Sequence, residues 1–141
     1  LEGSRKKTSW TRMTRYVVDS WAWIEYLEGS LLGGKVRERL ADNRNEIFTH
    51  VVSLAEIISK VRRREKDTDA AWSAIMTNSK IFALSEKESK DAGLLHAKMK
   101  SKHSNFGLAD SFVLSAARKL GAKVLTGDPH FASVEEAVML S

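Results

Sequence analysis

Short runs rich in β-branched and aromatic residues alternate along the chain with longer stretches of helical apolar period, and that alternation leaves few folds open. Residues 15–18 (RYVV), 47–52 (IFTHVV), 80–84 (KIFAL) and 122–126 (AKVLT) predict four strands, and residues 137–140 predict a short last one. Helices are predicted over 20–28, where Trp21, Ile24 and Leu27 recur at helical spacing with Trp23 on a neighbouring face, and then up to about residue 40, interrupted by Gly33 and Gly34. Further helices follow: 53–64 with Leu54, Ile57, Ile58 and Val61 inward; 67–77 with Ala70, Ala71, Ala74 and Ile75; 86–102 with Ala92, Leu95 and Met99; and 108–120 with Phe112, Val113, Ala116 and Ala117, closed by Gly121. Parallel neighbours need long crossovers, which helices supply. The expected fold is therefore α/β, a central parallel β-sheet of four to five strands flanked by helices on both faces.

A chain of 141 residues supports one core and one domain. No repeat, low-complexity tract or linker divides it. Hydrophobic residues at 43% and charged residues at 29% exclude a disordered or membrane-spanning composition, and no apolar run approaches the length of a bilayer span. Residues 1–12 are polar and basic without an apolar stretch, so they are expected to be a disordered tag or leader rather than a secretory signal; Leu1 to Ser4 read as a cloning remnant and Met13 as the native start. Of the formal charge of +5, Arg5, Lys6, Lys7 and Arg12 against Glu2 account for +3, so residues 13–141 carry only +2. That mild excess is compatible with a nucleic-acid substrate. The absence of cysteine excludes disulfides, thiolate nucleophiles and Cys-based zinc sites, and a cytoplasmic location is expected.

Four acids, Asp19, Glu56, Asp110 and Asp128, each fall at the end of a predicted strand or in the first turn of the next helix. In a parallel sheet the strand ends open on a shared crevice. Clustered carboxylates repel one another, and hard divalent cations relieve that repulsion through oxygen ligands. Each acid also has an ordinary structural role. Asp19 can cap the helix from Ser20, Ser53 and Glu56 can form a capping box, Asp110 suits a helix N-terminus, and Asp128 before Pro129 initiates a turn. Capping, however, is served equally by Ser, Thr and Asn, whereas a metal site needs the carboxylates.

The segments YVVDSWAWIEYL, VVSLAEIISK and especially GLADSFVLSAARKLGAKVLTGDPHF resemble PIN-domain ribonucleases of the VapC toxin type, over essentially the whole chain from Met13 (residues 13–141). The resemblance implies Asp19, Glu56, Asp110 and Asp128 as catalytic acids, with Thr126 and, less directly, Ser20 in support. It also implies dependence on Mg²⁺ or Mn²⁺, an RNA substrate, a homodimer, and a cognate antitoxin that blocks the site. In such chemistry one or two ions held by carboxylates orient a water, lower its pKa and offset phosphate charge, so no Ser, Cys or His nucleophile is needed. Asp19, Asp110 and Asp128 are then metal ligands, and Glu56 is a ligand or the general base.

His50, His96, His103 and His130 lack the spacing of a zinc site and are expected at the surface or in packing, with His130, beside Asp128, a candidate contact for substrate phosphate. Arg62, Arg63, Arg64 and Lys66, with Lys98, Lys100, Lys102 and His103, are candidate RNA-contacting groups, against the alternative of solvated helix faces. Trp21 and Trp23 are expected in the core, or as a base platform or antitoxin anchor if exposed. Two other functions fit the same residues: a housekeeping PIN nuclease without an antitoxin, and a catalytically silent PIN-like module that binds RNA or protein. No G-x-G-x-x-G or Walker loop is present.

Overall fold

The computed structural model describes residues 13–141, so the expectation for residues 1–12 lies outside the described residues. In chain order the elements are β1 (Thr14–Val18), α1 (Ser20–Glu28), α2 (Leu31–Ala41), β2 (Asn45–His50), α3 (Val51–Arg63), α4 (Thr68–Asn78), β3 (Lys80–Phe82), α5 (Glu86–Lys102), α6 (Leu108–Leu120), β4 (Lys123–Thr126), a 3₁₀ turn (Pro129–Phe131) and β5 (Ala137–Met139). All strand pairings are parallel, in the order β3-β2-β1-β4-β5, which puts β1 at the centre.

Alternation along the strands divides the core. Val18, Ile47 and Leu125 pack with Trp23, Ile24, Val36, Leu54, Ile57 and Ile75 under α1 to α4. Val17, Phe48 and Val124 point to the other face and pack with Phe106, Val113, Leu114, Ala117 and Phe131 under α5, α6 and the 3₁₀ turn. Both faces are covered, as a parallel sheet requires. Helices that return the chain to the start of a parallel strand run against the strands. Their N-termini therefore gather at the strands' C-terminal edge, the edge on which β1 ends at Val18, just before Asp19, and β4 at Thr126.

Two predicted strand ends move. Val51 and Val52 extend the predicted second strand but are helical here. The strand stops at His50, whose Nδ1 accepts the Val52 N–H at 3.0 Å and caps α3. Ser53 consequently lies inside the helix, buried with its hydroxyl unpartnered, and the expected Ser53–Glu56 capping box does not form. The third strand is also shorter than KIFAL, ending at Phe82.

Gly33 lets α2 close onto α1, since a methyl there would overlap the Glu25 carbonyl, whereas Gly34 faces open space. Gly33→Ala is expected to destabilise the protein by about 1–3 kcal/mol, and Gly34→Ala to be neutral or stabilising by up to about 1 kcal/mol. Urea denaturation of the two variants checks the contrast.

Candidate active site

Asp19 ends the central strand and caps α1, its Oδ1 accepting the Ala22 N–H at 2.9 Å. Its residue is only 5% exposed. Burial pushes the carboxyl up to about 7, and the negative charges of Asp128 and Asp110 push the same way; only the Thr126 hydroxyl and the Ala22 N–H draw it back. No lysine or arginine among the described residues offsets its charge. A carboxylate of this kind holds its proton to higher pH than an ordinary one, and a nearby cation favours its ionised form.

Asp110 stands at the third position of α6, where its Oδ2 accepts the Gly107 N–H at 3.1 Å. Burial and the charge of Asp128 raise its pKa, against that hydrogen bond and the nearby His130. Asp128 follows β4 after a sharp turn. Its N–H donates to Thr126 Oγ1 at 2.9 Å, and its Oδ1 accepts the His130 N–H at 2.9 Å, opening the 3₁₀ turn that Pro129 begins. Thr126 is fully buried and serves both Asp19 and the Asp128 loop.

Glu56, on the second turn of α3, closes the group from the rim. Partial desolvation and the charge of Asp110 raise its pKa; the Ser20 hydroxyl and Lys60 lower it. Because His50 and not Ser53 caps this helix, Glu56 is released from the helix end. Asp19, Ser20, Glu56, Asp110, Thr126 and Asp128 thus form one connected set, and His130 joins it, with Nδ1 at 3.4 Å from Asp110 Oδ2 and 3.5 Å from Asp128 Oδ1. The ligand atoms of Asp110, Asp128 and His130 all lie within 4.8 Å of one another. Each cap uses one lone pair of a carboxylate that offers about four, so the acids retain capacity for a cation. Hard oxygen donors, of which the most buried, Asp19, has no lysine or arginine beside it among the described residues, fit Mg²⁺ or Mn²⁺.

The basic candidates separate. Arg62, Arg63 and Arg64 lie six to eight residues past Glu56, about 9–12 Å further along α3, and Arg64 pairs with Glu28 at the distal end of α1. Lys60, which the sequence patterns did not single out, is the basic residue of this helix that acts on Glu56. Lys102 is exposed at the end of α5, five residues before the cap of α6. His103 contacts Ser133 at 3.4 Å. His50 is buried between the Phe82 and Phe112 rings, and burial holds its pKa down at about 4, so it packs and caps as a neutral ring. Trp23 is fully buried, and its Nε1–H donates to Thr49 at 2.9 Å, which leaves it in the core. Trp21 is half-buried with its indole lying on Gly127, where a methyl would overlap the ring.

The sequence matches the PIN domain model over residues 16–137. No curated protein matches it. Among solved structures, the fold is similar to VapBC2 from Rickettsia felis bound to a DNA fragment from their promoter (TM-score 0.70, 19% identity, 89% of this chain and 97% of that one). It is likewise similar to VapC20 of Mycobacterium tuberculosis, a sarcin-ricin loop cleaving toxin (TM-score 0.70, 16% identity, 86% and 95%), and to DNA-bound VapBC from Salmonella typhimurium (TM-score 0.67, 16% identity, 90% and 97%). At these identities the likeness shows the fold.

Two consequences can be measured. A raised carboxyl pKa stabilises the folded state fully below about pH 4, and that contribution declines as pH rises and is gone above about 7. Metal-free protein should therefore lose stability from pH 5 to 8, and Asp19→Asn, which keeps the cap, should flatten this dependence and be the more stable at pH 8 by on the order of 2–4 kcal/mol. Thermal unfolding in EDTA across that range checks it; parallel curves would contradict it. Gly127→Ala should cost about 1–3 kcal/mol by pushing against the Trp21 ring, and adding Trp21→Ala should recover part of the loss of Gly127→Ala, read as a coupling in a denaturation double-mutant cycle.

Proposed function

The chain belongs to the PIN domain family, and from that premise we propose that it is a Mg²⁺- or Mn²⁺-dependent endoribonuclease acting as the VapC-type toxin of a toxin–antitoxin pair. The observation that carries this reading is the carboxylate at the end of the central strand, buried, beside Asp110 and Asp128, and without a lysine or arginine to offset it among the described residues. Asp19, Asp110 and Asp128 would hold the ion. When bound, it supplies an activated water and neutralises charge on the scissile phosphate.

The chain's own residues then divide the remaining work. Glu56, with its raised pKa and its position at the rim, is a further ligand or takes the proton from the attacking water, and the Ser20 hydroxyl orients it. Thr126 fixes Asp19 and the Asp128 loop relative to each other. The exposed Lys98, Lys100 and Lys102 on the last turns of α5 offer positive charge to the RNA backbone.

The solved neighbours include VapBC complexes, which supports an antitoxin partner for this chain. A cleft of about 830 Å³ lined by the apolar Ile24, Leu27, Val61 and Ala71 and by the charged Glu28, Arg64, Lys66 and Asp67 offers such a partner a surface, and the reading includes a homodimer. No helix of the described residues is long and apolar enough to cross a membrane.

The test is cleavage of a labelled RNA, with the matching DNA as control, in Mg²⁺ or Mn²⁺, in EDTA, and by Asp110→Asn. The amide still accepts the Gly107 N–H, so the fold should persist while cleavage falls to about one hundredth or less. Near-wild-type cleavage by the variant would remove Asp110 from the site. Cleavage with growth arrest that an upstream-encoded protein relieves identifies the toxin; cleavage without them identifies a housekeeping nuclease; no cleavage by a protein free of partners identifies a silent binding module.

A further inference from the structure

His130 stands closer to the acids than a merely neighbouring residue would, and its spacing is informative. At 3.4 and 3.5 Å from Asp110 Oδ2 and Asp128 Oδ1, its Nδ1 is beyond the usual range of an N–H···O bond. Two donors each about 2.1 Å from one ion and roughly 90–110° apart are themselves separated by about 3.0–3.5 Å, which matches both distances. The ring is held there by local chemistry. Pro129 opens the 3₁₀ turn, and the His130 N–H is tied to Asp128 Oδ1 at 2.9 Å, so the imidazole and the carboxylate are two arms of one short loop. All three ligand atoms fit within 4.8 Å.

Resting on the metal-dependent reading above, we infer that His130 Nδ1 is a ligand of the ion held by Asp110 and Asp128, and that it biases this centre toward a first-row transition metal such as Mn²⁺ over Mg²⁺. The physical reason is the donor atom. Mg²⁺ favours oxygen and retains its waters, whereas an imidazole nitrogen adds more to the binding of transition ions, whose affinities rise with nitrogen donors. Oxygen-only coordination by the four acids would discriminate much less between the two ions.

The test measures metal binding without substrate. Mn²⁺ and Mg²⁺ are titrated calorimetrically into the full chain and into His130→Ala, and the Mn²⁺ complexes are examined by electron spin-echo spectroscopy for coupling to nitrogen. Thermal unfolding of both proteins controls for the fold; the backbone tie of residue 130 to Asp128 survives the substitution. The expected result is nitrogen coupling in the wild type that is lost in His130→Ala, a fall in Mn²⁺ affinity of about ten-fold or more, and little change for Mg²⁺. Equal or tighter Mn²⁺ binding by the variant, with no nitrogen coupling in the wild type, overturns the inference and makes His130 a countercharge displaced by the ion. If the wild type binds neither metal, the inference falls together with the metal reading, which separates that failure from its own.

Discussion

A carboxylate sealed into the end of a central strand favours neutralisation, either by a proton or by a cation, and among the described residues no lysine or arginine offsets Asp19. Everything around it follows from that constraint. The parallel sheet places β1 in the middle, so the strand end is flanked by β4 on one side and β2 on the other and cannot escape to solvent. The helices α1 and α3, which directly follow β1 and β2, and α6, which leads back to β4, bring their N-termini to the same edge. Their capping requirements draw Asp110 and Asp128 toward Asp19 rather than away from it. A charge arrangement that weakens the metal-free fold becomes an asset once a divalent ion is bound, which is the usual exchange of stability for function at such sites.

Structural and chemical roles are carried here by the same atoms. Asp19 caps α1, Asp110 ties down Gly107, and Asp128 starts the 3₁₀ turn, each with one hydrogen bond. These bonds do what a rigid scaffold does for a reactive group. They fix the carboxylates before any ligand arrives, so little ordering entropy is lost on binding. Thr126 and the Trp21 ring on Gly127 complete the frame from behind, one through hydrogen bonds and the other through packing. The capping explanation and the metal explanation of the acids are therefore complementary.

Much of this is legible in the sequence because it depends on local pattern. The strand and helix alternation and the acids near strand ends rest on periodicity and capping chemistry, and the fold agrees with them, whereas Thr126 is marked by the resemblance to PIN-domain ribonucleases. What is not legible depends on tertiary neighbours. Val51 and Val52 have strand propensity but turn helical because His50, shielded between Phe82 and Phe112, stays neutral and accepts a backbone N–H; histidine is not an expected cap. The same event frees Glu56 from a capping box that the Ser53-x-x-Glu56 spacing suggested. His130 has no paired zinc spacing because the groups nearest it, Asp110 and Asp128, are carboxylates and one comes from a different helix; its place beside Asp128 marks it in the sequence as a candidate phosphate contact, whereas its closeness to Asp110 depends on the fold. The arginine run of 62–64 attracts attention by charge alone, yet helix length carries it past the acids, and the single Lys60 is the one that reaches Glu56.

The central claim is that the acids at the C-terminal edge of the sheet form one divalent-metal centre. Anomalous diffraction from a crystal soaked in millimolar Mn²⁺ tests it most directly, because it locates the ion irrespective of substrate or partner. The account predicts a Mn²⁺ peak between Asp19, Asp110 and Asp128. A crystal with the edge open to solvent and no peak there would contradict it, leaving the carboxylates as helix caps alone.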